Sequence, residues 1–152
     1  MVTRSACLML VATAILPQAG AFWSANDAAS IRDAELAKAE GVKCPSSALK
    51  RAAGSGATAL ARDAQYVHAA LSLTRGGHGT KARACLGHVF KSGGKGSAWA
   101  WGALGELLRF EGADDAPAVA EAVFAEAARA GGPVVPHIYY DILGPFSVVR
   151  EH

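Results

Sequence analysis

Apolar positions along this chain recur at steps of three and four, and glycine pairs interrupt them at short intervals. That is the period of helices packed on one face, with little room for strands. Over 57–75, Leu60, Ala64, Val67, Leu71 and Thr74 form one stripe, ended by Gly76-Gly77. From Thr80, a candidate cap, to about Ser92, Ala82, Cys85, Leu86 and Val89 face inward while Lys81, His88 and Lys91 line the opposite side. Gly93-Gly94 stops that helix, and Ser97 is placed to cap the next. There "WAWGALGELLRFEG" (99–112) carries two tryptophans and two glycines in an apolar run. Ala98, Gly102 and Gly105 make a smooth strip for close helix approach, with Trp101, Leu104, Leu107 and Leu108 as buried bulk. Trp99 and Phe110 fall nearer the surface, or join the core. Asp115 then heads a helix with Pro117 in its first turn, running to Ala130 before Gly131-Gly132.

Two weaker segments precede these. Ser24 and Asp27 make a capping box for a helix over 27–40, whose apolar stripe (Ile31, Leu36 and alanines) is thin enough to place it at the periphery. Cys44-Pro45 opens a short helix to about Ala53, broken by Gly54-Ser55-Gly56. The last segment, 133–152, is richer in Val, Ile and aromatics, with one short helix expected around 137–143 before Pro145. The fold class is therefore all-α, about six helices joined by short glycine turns.

Trp101-x-x-Leu104-Gly105-x-x-Leu108, then Ala120-x-x-x-Phe124-x-x-Ala127, then Gly-Gly-Pro, resembles a tetratricopeptide-type helix hairpin. A longer turn and the "AARAGG" ending are similar to the Sel1-like branch. A shift of 39 sets Tyr140 on Trp101 and Leu143-Gly144 on Leu104-Gly105. A shift back by 38 sets Ala82, Leu86, Val89 and Gly93 on Ala120, Phe124, Ala127 and Gly131. The first hairpin departs from the pattern, with Arg62 and Gln65 where Trp and Leu belong, and Pro145 departs from it again. The resemblance covers 57–144 and implies a short array of antiparallel hairpins whose groove binds a peptide or protein. An unrelated α-helical bundle with the same helices is the alternative. First helices of hairpins line such grooves, so the resemblance makes Arg62, Gln65, His68 and Glu106 candidate binding residues.

Composition adds a compartment. Met1 to Arg4 is basic, 5–16 is apolar, and 17–21 ends in an A-x-A pattern, the layout of a signal peptide cleaved after Ala21. The apolar run falls short of the ~20 residues that span a bilayer; a retained N-terminal anchor is the other reading. The expected mature chain is a single helical domain, 22–152, secreted or periplasmic. It keeps two cysteines, Cys44 and Cys85, which in an oxidising compartment most simply form one bridge; two separate buried thiols are the alternative.

The formal net charge of +2 hides a segregation. Over 43–95 nine lysines and arginines face one acid, and over 106–126 six acids face one arginine. Lys81, Arg83 and Lys91 would add salt-sensitive attraction toward an acidic protein or peptide partner, or an anionic envelope surface. Two copies meeting head to tail are also compatible with this asymmetry. Export argues against a nucleic-acid partner.

Catalytic motifs are lacking: no C-x-x-C, H-E-x-x-H, P-loop or G-x-S-x-G. The glycine runs "GSG" (54–56) and "GGKGS" (93–97) follow no strand and read as helix breaks. His137 and Asp141, four apart, are the one candidate pair for chemistry, as low-weight catalytic residues. No cofactor and no metal is expected. Two function classes follow: an exported helical-repeat interaction scaffold, or a small exported hydrolase acting on envelope material through His137 and Asp141.

Overall fold

A computed structural model describes residues 24–55 and 58–131. These are all-helical: α1 (Ala25–Ala37), α2 (Ser46–Gly54), α3 (Ala59–Arg75), α4 (Gly79–Ser92), α5 (Ser97–Glu111) and α6 (Ala116–Arg129), with no strand among the described residues. The presumed signal peptide and the tail carrying His137, Asp141 and the third partial repeat lie outside the described residues.

Helix ends follow side-chain chemistry at two places. At α1 the Ser24 hydroxyl accepts from the Asp27 N–H at 3.2 Å, and the Asp27 carboxylate accepts from the Ser24 N–H at 2.8 Å. That reciprocal box, the backbone N–H first, holds the Asp27 carboxyl below its ordinary range. At α3 the Thr58 hydroxyl accepts from the Ala61 N–H at 3.1 Å. Three expected caps are absent. Thr80 lies inside the first turn of α4, Ser97 is the first helical residue of α5, and Asp115 stands at the start of α6 without a side-chain cap bond. Gly93 and Gly112 end α4 and α5 in the left-handed region, both at φ +66°, where a side chain would be strained.

Helices adjacent in sequence pack side by side from α2 through α6, and α5 is central, touching α3, α4 and α6. Helix α1 lies instead across α4 and α6. Its half-buried Ile31 and Leu36 fit the expected peripheral place. The core uses small residues: Leu86, Leu104, Leu107, Val67, Val89 and Val123 are its largest fully enclosed side chains apart from the cysteines, set among many alanines. The expected stripe of α3 holds at Ala64, Val67, Leu71 and Thr74, but Leu60 is 39% exposed, because the first turn of α3 is not enclosed. Phe90 meets Trp101 edge to face at 4.9 Å, and the Arg32 guanidinium of α1 lies over both rings at 5.6 and 5.3 Å. Cation–π attraction of this kind fixes α1 where apolar area is scarce.

Cys44 and Cys85 form the expected bridge, with Cα atoms 4.7 Å apart and both residues buried. It ties the start of α2 to α4 across 41 positions of sequence. By the chain-entropy treatment, replacing both cysteines with alanine should lower unfolding stability by about 4 kcal/mol, checked by urea denaturation. Native protein should also show no thiol reactive to a chromogenic disulfide reagent.

The smooth strip on α5 is a contact surface, as its spacing predicted. Gly102 and Gly105 are buried, and a methyl group on Gly105 would fall 2.7–2.9 Å from three ring atoms of Phe124. Gly105→Ala should therefore cost about 1–3 kcal/mol despite its better helix propensity. Adding Phe124→Leu should recover part of that loss in thermal unfolding.

Candidate functional site

The structure divides the seven sequence-based binding candidates into a buried set and a surface set. Arg62, Lys81 and Lys91 are exposed. His68 is half-buried, and burial, helped by the charge of Arg51, pushes its imidazole below the ordinary value. Glu106 is partly buried and sits 3.6 Å from Arg109, one turn on. Gln65 and Arg83 are buried. Gln65 is 8% exposed because α2, α4 and α5 all pack on α3, leaving this part of the helix little free surface. It faces no groove.

Arg83 is 4% exposed and is a structural cation rather than a docking one. Its Nη2 donates to Glu35 of α1 at 2.7 Å and to Glu111 of α5 at 2.5 Å, and its Nη1 donates to Glu111 at 2.9 Å. The bonds to Glu111, then those to Glu35, outweigh burial and hold the guanidinium firmly protonated. Lys38 adds a second cation to Glu35 at 2.5 Å. Burial pushes the Glu35 carboxyl up, but Lys38 and Arg83 overcome it and leave the group below its ordinary range. Gly79 makes room for this pairing: a methyl group there would overlap the Glu111 carboxylate and come within 2.9 Å of Arg83 Nη1. The sequence signal was faint, a glycine one turn before an arginine in what reads as a loop.

A second internal carboxylate sits at the other end of the α3–α4 hairpin. Asp63, 3% exposed, accepts from the Ser92 hydroxyl at 3.2 Å and presses on Gly96 at the start of α5. Burial pushes its carboxyl up, more than Ser92 and Arg62 pull it down. An acid thus already lies against the "GGKGS" turn, which supports its reading as a helix break.

With Arg83 and Asp63 turned inward, the surface of the α3–α4 hairpin is basic. The Asp63–Ser92 contact and the Tyr66–His88 ring stack (4.6 Å between centroids, 4° between planes) set α3 antiparallel to α4. Arg62 on α3 and Lys91, His88 and Lys81 on α4 are all exposed, the three on α4 at helical spacing. Lys95 follows in the turn.

Cavities also open elsewhere among the described residues. One of about 700 Å³ lies along the α5–α6 turn, with Arg109, Asp114, Pro117, Glu121 and Phe124 in its walls. One of about 440 Å³ lies between the α3–α4 turn and the end of α5, bordered by Thr74, Gly79, Glu111 and Phe110. Phe110 is 54% exposed at its rim, whereas Trp99 is packed against the core. Among the described residues no three His, Cys, Asp or Glu side chains come together to hold a metal ion, and no helix is long and apolar enough to cross a membrane. What the described surface offers chemically is charge and stacked aromatic rings. No family model, curated protein or solved structure matches the chain.

The two internal carboxylates have opposite pH signatures. Glu35, lowered in the fold, contributes stability present above the ordinary carboxylate pKa and lost as pH falls through its depressed value. Asp63, raised in the fold, contributes stability present below the ordinary pKa and lost as pH rises through its elevated value. In urea unfolding between about pH 6 and about pH 3, Glu35→Gln should flatten the acid-side loss, and Asp63→Asn should remove the opposing gain. Arg83→Ala should cost about 1–3 kcal/mol at neutral pH, because it leaves Glu35 with Lys38 as its remaining cation and removes the bidentate pair with Glu111.

Proposed function

We propose that the chain is an exported helical-repeat interaction module that binds an acidic protein or peptide segment. The observation that carries this reading is the outer face of the α3–α4 hairpin, where Arg62, Lys81 and Lys91 are exposed and His88 stacks on Tyr66 while the neighbouring acid, Asp63, is buried. Lysines and arginine there attract carboxylates at long range, and the ring pair supplies a flat apolar contact. The side-by-side packing of α3, α4, α5 and α6 supports the hairpin-array reading. The buried Cys44–Cys85 bridge supports secretion or a periplasmic location, since such bridges persist where the surroundings are oxidising.

The test is affinity capture of a tagged copy from its native host, washed at low and then at high salt. One abundant acidic partner should be held at low salt and released as salt rises. Lys81→Glu with Lys91→Glu should reduce its binding about tenfold or more with an unchanged far-UV spectrum. Retention by the doubly reversed variant would overturn the reading.

A further inference from the structure

The charges that remain after internal pairing are unevenly shared. In α5 and α6 each arginine is met by a carboxylate of its own helix, Arg109 by Glu106 and Arg129 by Glu126, and Glu111 is taken by Arg83. The exposed surplus there is Asp114, Asp115 and Glu121. In the α3–α4 hairpin Arg83 is consumed internally and Asp63 is buried, so the exposed surplus is Arg62, Lys81, Lys91 and Lys95. The acidic surplus also borders a concave surface: Asp114 and Glu121 stand in the wall of the 700 Å³ groove, beside Pro117, Phe124 and Arg109, whose charge Glu106 meets from its own helix.

We propose that this acid-rimmed groove along the α5–α6 turn docks a second copy of the chain, through the basic outer face of that copy's α3–α4 hairpin. Lysine ammonium groups would meet Asp114 and Glu121, and their aliphatic stems would cover Pro117 and Phe124. Because the two surfaces differ, the contact is head to tail: every open assembly keeps one free groove at one end and one free basic face at the other, so growth continues unless a ring closes. This inference rests on the basic face being a binding surface, and it names a second copy as the acidic partner.

Sedimentation velocity of the purified protein across a concentration series tests it. At low ionic strength the mean mass should rise with concentration past that of a dimer, and at high ionic strength it should return to the monomer. Lys91→Glu/Lys95→Glu should abolish association, and so should Asp114→Lys/Glu121→Lys, each with an unchanged far-UV spectrum. An equimolar mixture of the two variants should restore association, because the first keeps an intact groove and the second an intact basic face. A wild-type protein that stays monomeric at low ionic strength would overturn the proposal, as would a closed dimer that neither variant disrupts. So would a groove that captures a basic peptide without self-association. If a monomeric wild type still captures an acidic host protein through Lys81 and Lys91, self-docking alone fails and the function proposed above stands.

Discussion

The buried guanidinium of Arg83 is the constraint around which the described helices are arranged. A cation this enclosed is tolerable only if carboxylates meet it at hydrogen-bond distance, and it recruits them from two other helices, Glu35 of α1 and Glu111 of α5. Lys38 balances the second negative charge. An apolar contact among these helices would tolerate sliding; a bidentate pair with Glu111 and a directed bond to Glu35 does not. The peripheral helix α1, poor in apolar side chains, is therefore held in place by charge. The Arg32 guanidinium over Phe90 and Trp101 holds the same helix from another side.

An alanine-rich core sets the second condition. Small side chains let helices approach closely, and at three places the partner fills the space a methyl group would need. Phe124 occupies it at Gly105, the Arg83–Glu111 pair at Gly79, and Asp63 at Gly96. Glycine within a helix costs about 1 kcal/mol relative to alanine, so contact at Gly105 must offset that loss. Bulk is concentrated in α5, which touches α3, α4 and α6, and the disulfide anchors the N-terminal helices to α4. Stability thus comes from a few specific contacts spread across a core of modest side-chain volume.

Internal use of charge also shapes the surface. Drawing Arg83 and Asp63 inward, at opposite ends of the α3–α4 hairpin, leaves Arg62, Lys81, Lys91 and Lys95 outside, and what remains there is basic. In α5 and α6 the arginines are neutralised locally, and what remains is acidic. A molecule divided in this way carries a dipole that biases which surfaces meet first, and that bias weakens as salt screens it. The proposed recognition is therefore electrostatic in its approach and aromatic or aliphatic in its contact.

Sequence by itself determined the helices, most of their inward faces, the glycine stops of α3, α4 and α5, the Ser24–Asp27 box, the Cys44–Cys85 partnership and the separation of charge, whereas α1 ends at Ala37, short of the expected Gly41. Those features are local or compositional: periodicity, left-handed ends and short-range hydrogen bonds are properties of neighbouring residues. The small strip on α5 was legible for the same reason. Only the tertiary structure decided that Arg83 and Gln65 belong to the interior while Arg62, Lys81 and Lys91 belong to the surface. A helical pattern shows which face is polar, but not whether a carboxylate from a distant helix will reach a cation on its edge. Glu35 lies 48 positions from Arg83 and Glu111 lies 28 away, so that choice is made by packing and not by spacing.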